Sequence, residues 1–184
     1  MAKKFDLLSS VSVGRRIEIL RKNWLSHDAR WQMTVFQELG WEKGNKLNQV
    51  VAREMGKVAM YRLMKALEIS QVKNVEELEA VCLAAMSLYH PPPAFVYHFE
   101  RLSNTSFLGV MEKCGIYENV KKAGVSDAYE CGCFAMRFGW YKALGMEVEE
   151  ELLKCLKWGD KACEIVIRVN KRRKEKGYRN ENRN

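Results

Sequence analysis

The period of the apolar residues changes at HPPP, residues 90–93. Before this segment, apolar residues in 13–39 and 41–67 recur at three- and four-residue intervals, as on one face of an α-helix. After it, AFVYHFERL at 94–102 alternates with the two-residue period of a β-strand. Proline lacks a backbone donor and clashes with the preceding turn, so a helix must end at this point. The chain therefore predicts a helical first half followed by β-structure.

Local signals give the boundaries of the predicted helices. Gly40 is a stop between the first two helical stretches. Asn74 is a good cap for a helix that runs to about Tyr89, because its side chain can accept a free backbone N–H and Glu77 stands at the capping-box position. His90 then marks the end of that helix.

For the second half of the chain, the sequence predicts two β-hairpins separated by two helices. The expected strands lie near 94–102, 106–113, 146–156 and 162–169. Between them, GIYENVKKAG and roughly Tyr129 to Leu144 are helical, and Gly145 ends the second piece. The predicted fold class is α+β: a helical N-terminal half, then ββ-αα-ββ, with an antiparallel sheet of about four strands and helices packed on one face.

Length and charge limit the domain organisation. A chain of 184 residues with 47% hydrophobic content suits one domain, expected over 1–168. The net charge of +8 is concentrated in RVNKRRKEKGYRNENRN, which has eight Lys or Arg and two Glu, hence +6, and leaves +2 for the rest. We interpret residues 169–184 as a basic, disordered tail, and nucleic acid is not the expected partner.

The lengths of the apolar stretches indicate the cellular compartment of the protein. They are far shorter than the roughly 20 residues that span a bilayer, so no membrane partner is expected. MAKKFDLLSS lacks the apolar run of a signal peptide, and we expect a cytoplasmic protein. In that reducing setting, cysteines are thiols or metal ligands rather than disulfides. The six cysteines are Cys82, Cys114, Cys131, Cys133, Cys155 and Cys163.

The segment CLKWGDKAC places two cysteines across a predicted turn at Gly159. Cys155 then lies opposite Cys163, on the face expected to hold Leu153, Ile165 and Ile167. Opposed sulfurs of this kind suit two corners of a tetrahedral zinc–thiolate site. The alternative is that these cysteines are small core hydrophobes, as we expect of Cys82 on its helix.

Cys131-Gly132-Cys133 is the nearest supply of two further zinc ligands. Since a helix turns 100° per residue, both cysteines can bind one metal only if Cys131 precedes the first turn. Zinc is therefore the candidate cofactor, with Cys131, Cys133, Cys155 and Cys163 as its candidate ligands; the spacing alone fits four small core hydrophobes equally well.

CLKWGDKAC, with Gly145 ten residues before its first cysteine, resembles the terminal hairpin of the 4-vinyl reductase-type small-molecule-binding domain. The resemblance implies zinc on an upstream cysteine, on the two hairpin cysteines and on a glutamate three residues before the first of them. That position is Leu152 here, and the nearest acid is Glu151. The fourth ligand is then Cys133, Cys114 or Glu151.

A second resemblance spans roughly residues 15–168. NWLSHDARWQMTVFQELGWEKGNKLNQVV, followed by MEKC, KKAGVSDAYEC and KWGDKAC, is similar to the L-2-amino-thiazoline-4-carboxylic acid hydrolase-like family. The order of these segments carries the match. It implies the family's fold and, as an activity, the opening of a thiazoline ring by water.

Catalysis would require a polar group inside an apolar pocket. His27 and Asp28, between Trp24 and Trp31 on the first predicted helix, are candidates, since an imidazole with aromatic walls could act as general base on water. The alternative is a half-exposed histidine and a solvated aspartate on the side of a helix.

The first predicted hairpin offers a further candidate. His98 shares a strand face with Glu100 and could orient a substrate, or it could merely finish a sheet. The run Glu149-Glu150-Glu151 is interpreted as a strand edge against solvent. The candidate catalytic residues are thus His27, Asp28 and His98; the candidate ligand contacts are Trp24, Trp31, Tyr97 and Glu151.

Two functions follow as hypotheses. The first is a domain that binds a small organic ligand, aromatic or heterocyclic, beside a structural zinc. The second is a hydrolase that opens a small cyclic amidine or thiazoline, such as 2-amino-thiazoline-4-carboxylate, and whether the chain is an enzyme stays open. Aromatic residues make up 10% of the chain, and five of them are Trp. We expect some of this apolar surface to remain exposed after folding and to contact a second copy of the chain, which predicts a homodimer.

Overall fold

The structure is a computed structural model that describes residues 7–170. The expected basic tail lies outside the described residues from position 171 onward. The elements are α1 Val13–Ala66, α2 Val75–Tyr89, β1 Phe95–Ser103, β2 Ser106–Cys114, α3 Gly115–Lys122, α4 Cys133–Leu144, β3 Val148–Lys154 and β4 Cys163–Val169, with 3₁₀ turns at Leu7–Ser10 and Leu156–Trp158. The chain divides between Asn48 and Gln49 into two compact units.

Gly40 interrupts α1, as the sequence predicts. Its φ of 76° and ψ of 166° are not helical, and a glycine reaches positive φ without steric cost. Across the break, the buried ring of Phe36 stacks on Trp41 with centroids 4.2 Å apart. Gly44 lies against Phe36 so closely that a Cβ there would collide with the ring. The first unit therefore has a small aromatic contact of its own around the helix break.

The predicted cap of α2 is confirmed. Asn74 Oδ1 accepts the backbone N–H of Glu77 at 2.8 Å. The Glu77 carboxylate reaches back to the backbone N–H of Lys73, one residue before the cap, at 2.8 Å. At the other end His90 is the C-cap, with its N–H bonded to the carbonyl of Met86 before the prolines begin.

The four predicted strands form one antiparallel sheet with the order β1-β2-β4-β3, which confirms the α+β class. The last hairpin is irregular near its turn. Leu152 pairs with Ile165 and Lys154 with Glu164, and a bulge lies between them. Ile165 and Ile167 are buried as expected, but the expectation for Leu153 is wrong, since it is 47% exposed. The bulge has turned its side chain to the other face.

The helix predicted from Tyr129 begins later, at Cys133. The preceding carbonyl groups are engaged by side chains rather than by helical N–H groups. Tyr129 O accepts a hydrogen bond from Lys157 Nζ at 2.6 Å, and Cys131 O accepts one from Gln49 Nε2 at 3.0 Å. The predicted stop at Gly145 is confirmed, with φ 64° and ψ 29°.

The core of the second unit lies between the helices and one face of the sheet. Cys82, as expected, is among its most buried residues and has 2% exposure. The largest fully buried side chains come from α1, α2, α4, β2 and the segment before α2: Trp140, Phe107, Met60, Leu78, Val72, Val75 and Cys82. Burial of this kind contributes about 1.5–3 kcal/mol for each large apolar side chain.

Two glycines bring the backbones of α1 and α4 into direct contact. A Cβ on Gly56 would collide with the carbonyl oxygen of Met136, and one on Gly139 would collide with that of Arg53. The helices therefore cross with no side chain between them, because only hydrogen fits at these positions. This glycine crossing sets the position of Arg53 relative to α4.

Candidate ligand cavity and cysteine cluster

A cavity of about 310 Å³ lies beside the glycine crossing. Its walls come from the part of α1 that follows Gly40, from α4 and from β3, and aromatic and aliphatic side chains dominate them. The lining residues are Gln49, Arg53, Phe134, Ala135, Phe138, Tyr141, Val148 and Glu150. An apolar space with a few polar groups is the usual form of a small-molecule site.

The polar end of the cavity is a buried ion pair. Arg137 Nε donates to Glu150 Oε1 at 2.6 Å and its NH2 group donates to Oε2 at 2.9 Å. Tyr141 donates its hydroxyl to Oε1 at 2.6 Å. The side chains of Arg137 and Glu150 are only 14% and 10% exposed. Bidentate pairing and a third donor compensate the two buried charges, as burial requires.

Burial raises the pKa of the Tyr141 phenol, which belongs to this hydrogen-bond network. The pKa of Tyr141 is raised well above its usual value, first by burial and then by the nearby Cys82 and Glu150. Tyr141 thus stays a neutral hydrogen-bond donor. Arg137 also lies over the ring of Phe134, 4.7 Å from its centroid, which covers the face of the guanidinium.

Glu150 corrects the interpretation of the three-glutamate run as a solvent edge. Along β3, burial alternates, and Glu150 is on the inner face with Val148 and Leu152 while Glu149 and Glu151 point outward. The apolar residues at 148 and 152, which share a strand face with position 150, already indicated in the sequence that Glu150 points inward. What the sequence lacked was the partner, because Arg137 lies on another element.

The mouth of the cavity carries the guanidinium of Arg53. It lies over the ring of Phe138, 4.9 Å from its centroid, and Lys142 Nζ lies 5.3 Å from the same centroid. Within residues 7–170, no carboxylate forms an ion pair with Arg53. Sequence reasoning missed Arg53, because nothing in its helical position distinguishes it from other exposed cations.

The hairpin cysteines lie together, as the sequence predicts. Cys155 Sγ and Cys163 Sγ are 3.9 Å apart. Zn–S bonds of about 2.3 Å in a tetrahedron require sulfurs about 3.8 Å apart, so this pair has the spacing of two zinc ligands. The turn holds them: the carboxylate of Asp160 accepts the N–H of Cys155 at 2.8 Å, and the Leu156 N–H donates to Cys163 Sγ at 3.3 Å.

Cys131 and Cys133 form the second thiol pair, and Cys131 precedes α4, as joint ligation would require. A hydrogen bond from Cys131 and the nearby Arg137 lower the pKa of Cys133 to about 6, while the pKa of Cys131 is raised by the same bond and by burial. Cys133 thus has thiolate character near neutral pH.

The two thiol pairs are electrostatic neighbours. The charge of Cys155 contributes to the raised pKa of Cys131, and the charge of Cys133 contributes to the raised pKa of Cys163. In the part of the chain that the structure describes, however, no three His, Cys, Asp or Glu side chains are arranged so as to hold a metal ion as they stand. The four thiols are suitable zinc ligands and one pair has the spacing of two such ligands, but the complete set is not assembled within the described residues. Zinc ligation therefore stays a prediction.

The segment before α4 is tied to its surroundings by side chains that sequence reasoning missed. Lys157, in the hairpin turn, donates to the carbonyls of Tyr129 at 2.6 Å and Asp127 at 3.4 Å. Gln49, a wall residue of the cavity, donates to the carbonyl of Cys131. These bonds bring the hairpin, the Cys131 segment and the cavity wall together.

Of the candidate residues on the sheet, His98 and Glu151 are exposed, whereas Tyr97 is half-buried and packs against the core. His98 contacts Glu100 at 3.0 Å and Glu112 at 3.3 Å and is 45% exposed. The Tyr97 hydroxyl donates to Ser87 at 3.3 Å. Glu151 pairs with Arg168 at 2.7 Å. None of His98, Tyr97 and Glu151 lines the cavity described above.

The remaining candidates belong to the first unit. His27 and Asp28 lie on α1 with exposed side chains. The flanking Trp24 and Trp31 are 53% and 65% exposed. Within residues 7–48, Trp24 and Trp31 therefore do not enclose the His27 imidazole in an apolar pocket, as catalysis would require.

Comparison with known proteins identifies a fold. No family profile matches the chain, and no curated protein sequence matches it. The structure of a trafficking protein particle complex subunit 3 from Naegleria fowleri, covalently bound to palmitic acid, has a TM-score of 0.55 at 16% identity, over 85% of this chain and 96% of that one. An H-NOX protein from S. oneidensis, in the Fe(II)NO ligation state, has a TM-score of 0.45 at 15% identity, over 76% and 72%.

The first of these likenesses places the chain in a class of small α+β domains, and it shows the fold alone. The resemblances to the hydrolase-like family and to the 4-vinyl reductase-type hairpin stay predictions. Among the described helices, none is both long and apolar enough to cross a bilayer.

Proposed function

We propose that this chain is a small-molecule-binding α+β domain whose ligand, a small aromatic or heterocyclic compound, occupies the cavity between α1, α4 and β3. The observation that carries the proposal is the cavity itself: apolar walls that end on a neutralised, hydrogen-bonded carboxylate at Glu150. Such a site offers apolar contact to a ring and one oriented acceptor to a polar substituent.

We further propose that Cys131, Cys133, Cys155 and Cys163 hold a zinc ion. The 3.9 Å spacing of Cys155 and Cys163 and the thiolate character of Cys133 support this. Four thiolates leave no open coordination position, so zinc would serve structure rather than catalysis. Its chemical contribution would be to join the last hairpin to the start of α4. The resemblance of CLKWGDKAC to the 4-vinyl reductase-type hairpin points the same way.

The structural comparison lends support to an organic ligand. The trafficking protein particle complex subunit was solved with palmitic acid covalently bound, so a related fold accommodates an organic molecule in that protein. For assembly, we propose a homodimer, supported by the exposed apolar side chains of α1. For compartment, we propose the cytoplasm, which suits six cysteines that are all free.

Hydrolysis of a small cyclic amidine or thiazoline is the second candidate function. The observation that favours it is a carboxylate facing an apolar cavity, since Glu150 could accept a proton from water there. The resemblance to the L-2-amino-thiazoline-4-carboxylic acid hydrolase-like family supports the substrate class. Of the carboxylates and imidazoles considered, Glu150 replaces His27, Asp28 and His98 as the residue to test in this role.

The binding proposal can be tested by titrating a panel of small aromatic and heterocyclic compounds while following the backbone amide signals by NMR. We expect saturable shifts confined to the cavity-lining residues. Val148→Trp, which fills the cavity, should abolish them. Leu153→Trp is the matched control, because it places the same side chain on the exposed face of the same strand. Shifts equal in both variants, or none in the wild type, would refute the proposal.

A further inference from the structure

The charges around the cavity do not balance, and this imbalance bears on the class of ligand. The inference rests on the binding function proposed above. Inside, Glu150 is neutralised by the two hydrogen bonds from Arg137. At the mouth, the Arg53 guanidinium lies over the ring of Phe138 and forms no ion pair within the described residues. Lys142, whose Nζ lies 5.3 Å from the centroid of the same Phe138 ring, also forms no ion pair within those residues. The rim therefore carries two uncompensated positive charges, of which that of Arg53 belongs to a lining residue of the cavity.

Arg53 is presented in a way that suits a planar anion. Its guanidinium lies over Phe138, so the ring covers one face and the N–H edges stay open to solvent. Those edges match the two oxygens of a carboxylate in a bidentate pair. The glycine crossing holds the Arg53 backbone against Gly139, so the residue starts from a defined position.

The walls beside Arg53 suit the remainder of such a molecule. Phe134, Ala135 and Val148 offer apolar contact, and the volume of about 310 Å³ is at the low end of the roughly 300–1,000 Å³ usual for small-molecule sites. A compact ligand is favoured for this reason.

We propose that the cavity binds a compact organic monocarboxylate, whose carboxylate pairs with Arg53 at the mouth and whose apolar or aromatic body lies against Phe134 and Val148. Arg53 is then the residue that selects acids over neutral compounds. This role holds for a binding domain and for a hydrolase alike.

The experiment uses three matched pairs of probes, each an acid and its amide: benzoate with benzamide, nicotinate with nicotinamide, and hexanoate with hexanamide. Dissociation constants are measured by NMR titration of the full chain at low salt. We expect at least one acid to bind tenfold or more tightly than its amide. Arg53→Gln should remove that preference, so that each acid binds no more tightly than its amide, whereas Arg53→Lys should keep part of it.

Lys65→Gln is the control, since it removes one exposed cation from the last turn of the same helix. It should leave the preference for acids intact, because screening weakens charges at a distance. Equal affinities for acids and amides would overturn the inference while leaving the binding function standing. Equal loss in Arg53→Gln and Lys65→Gln would also overturn it, as would binding of inorganic phosphate at the same strength as the acids. No saturable cavity shift with any probe would overturn both proposals.

Discussion

The side-chain amide of Gln49 donates a hydrogen bond to the carbonyl oxygen of Cys131, with 3.0 Å between the atoms. Gln49 is a wall residue of the cavity, and Cys131 is the first thiol of the Cys131-Gly132-Cys133 segment. One residue therefore contacts both candidate sites. The Arg137 side chain makes a second link, since it pairs with Glu150 and lowers the pKa of Cys133.

The metal prediction concerns the thiol pairs. Protein purified without chelators should contain about one zinc per chain, because one four-ligand site holds one ion. Cys155→Ser or Cys163→Ser should each lose most of the metal and loosen the last hairpin, since binding energy at a structural zinc is also folding energy, of order 10 kcal/mol in small peptides. Metal analysis of wild type and variants checks this.

Cys82→Ser is the control for the metal prediction. This cysteine is buried in the core, so its replacement should cost packing and leave the zinc content unchanged. Single replacements of Cys131, Cys133 and Cys114 would identify the remaining ligands. Absence of both zinc and iron, with all thiols as reactive in the native as in the unfolded chain, would contradict the prediction.

A second prediction concerns the buried ion pair. Glu150→Ala should lower the free energy of unfolding by about 3–5 kcal/mol, because it leaves the Arg137 charge buried without its partner. Glu151→Ala, one residue along the same strand, breaks an exposed pair with Arg168 and should cost at most about 1 kcal/mol. Urea unfolding measures both. Similar losses in the two variants would show that Glu150 is not buried as described.

Glu150→Gln separates the two candidate functions. If the domain is a hydrolase, this variant should lose ring opening of a 2-amino-thiazoline-4-carboxylate substrate by about 100-fold or more, the usual contribution of a general base. Product formation by the wild type, followed by chromatography, is the measurement. A wild type with no turnover would remove the hydrolase and leave the binding function.

A third prediction concerns the glycine crossing. Gly139→Ala should destabilise the chain by about 1–3 kcal/mol or more, because the added methyl collides with backbone rather than with a movable side chain. Gly14→Ala adds the same methyl in α1 where nothing lies within 4 Å, and it should be neutral or stabilising by up to about 1 kcal/mol. Thermal unfolding compares the two. Equal effects would contradict direct backbone contact.

The fourth prediction is a pH dependence that comes from His90. Burial, with Arg137 nearby, lowers the pKa of His90 to about 4, from an unfolded value of about 6.5. Between these values the unfolded chain binds the proton and the native chain does not, so stability falls as pH drops from 6.5 towards 4. At pH 5 the loss is about 2 kcal/mol.

His90→Asn isolates this contribution from other groups that titrate in acid. The stability difference between pH 7 and pH 5, measured by urea unfolding, should be smaller in the variant by about 2 kcal/mol. Tyr89→Phe, at the neighbouring position, should keep the wild-type difference because it removes no group that titrates in this range. An unchanged difference in His90→Asn would show that the imidazole is solvated.

The fifth prediction concerns assembly. Along α1, large apolar side chains are exposed, with Leu20 at 68%, Trp24 at 53% and Trp31 at 65%. Light scattering at micromolar concentration should give twice the chain mass of 21.4 kDa, because burying such surface against a second copy is favourable. Trp31→Lys should shift the mass towards one chain, while Lys22→Ala should not. A single-chain mass for the wild type would contradict the homodimer.

The sequence predicted most of the fold because its signals are local. The period change at residues 90–93, the break at Gly40, the cap at Asn74 and the left-handed Gly145 all act within a few residues, and the structure confirms each of them. Start and end signals depend on backbone groups that are satisfied locally. The late start of α4 was not predicted, because the Tyr129 carbonyl is bound by Lys157, which lies 28 residues further along the chain in the hairpin turn.

The cavity was much harder to predict, because its parts are distant in sequence. Cys155 and Cys163 could be paired through one turn, and that pairing is confirmed. Arg137 and Glu150 lie on different elements, so only the packing of α4 on the sheet brings them together. His27 drew attention because histidine is chemically versatile, but its residue type says nothing about burial, and its side chain is exposed.

The contact of Gly56 and Gly139 with opposing backbone also limits how this domain can diversify. No side chain stands at the crossing, so no substitution there can trim or enlarge one wall of the cavity without forcing the helices apart. For the proposed ligand, changes in size would instead come from lining side chains such as Phe134, Phe138 and Val148, which can shorten while the backbone stays in place. Related chains that keep both glycines would then share one frame and differ in ligand through these three positions.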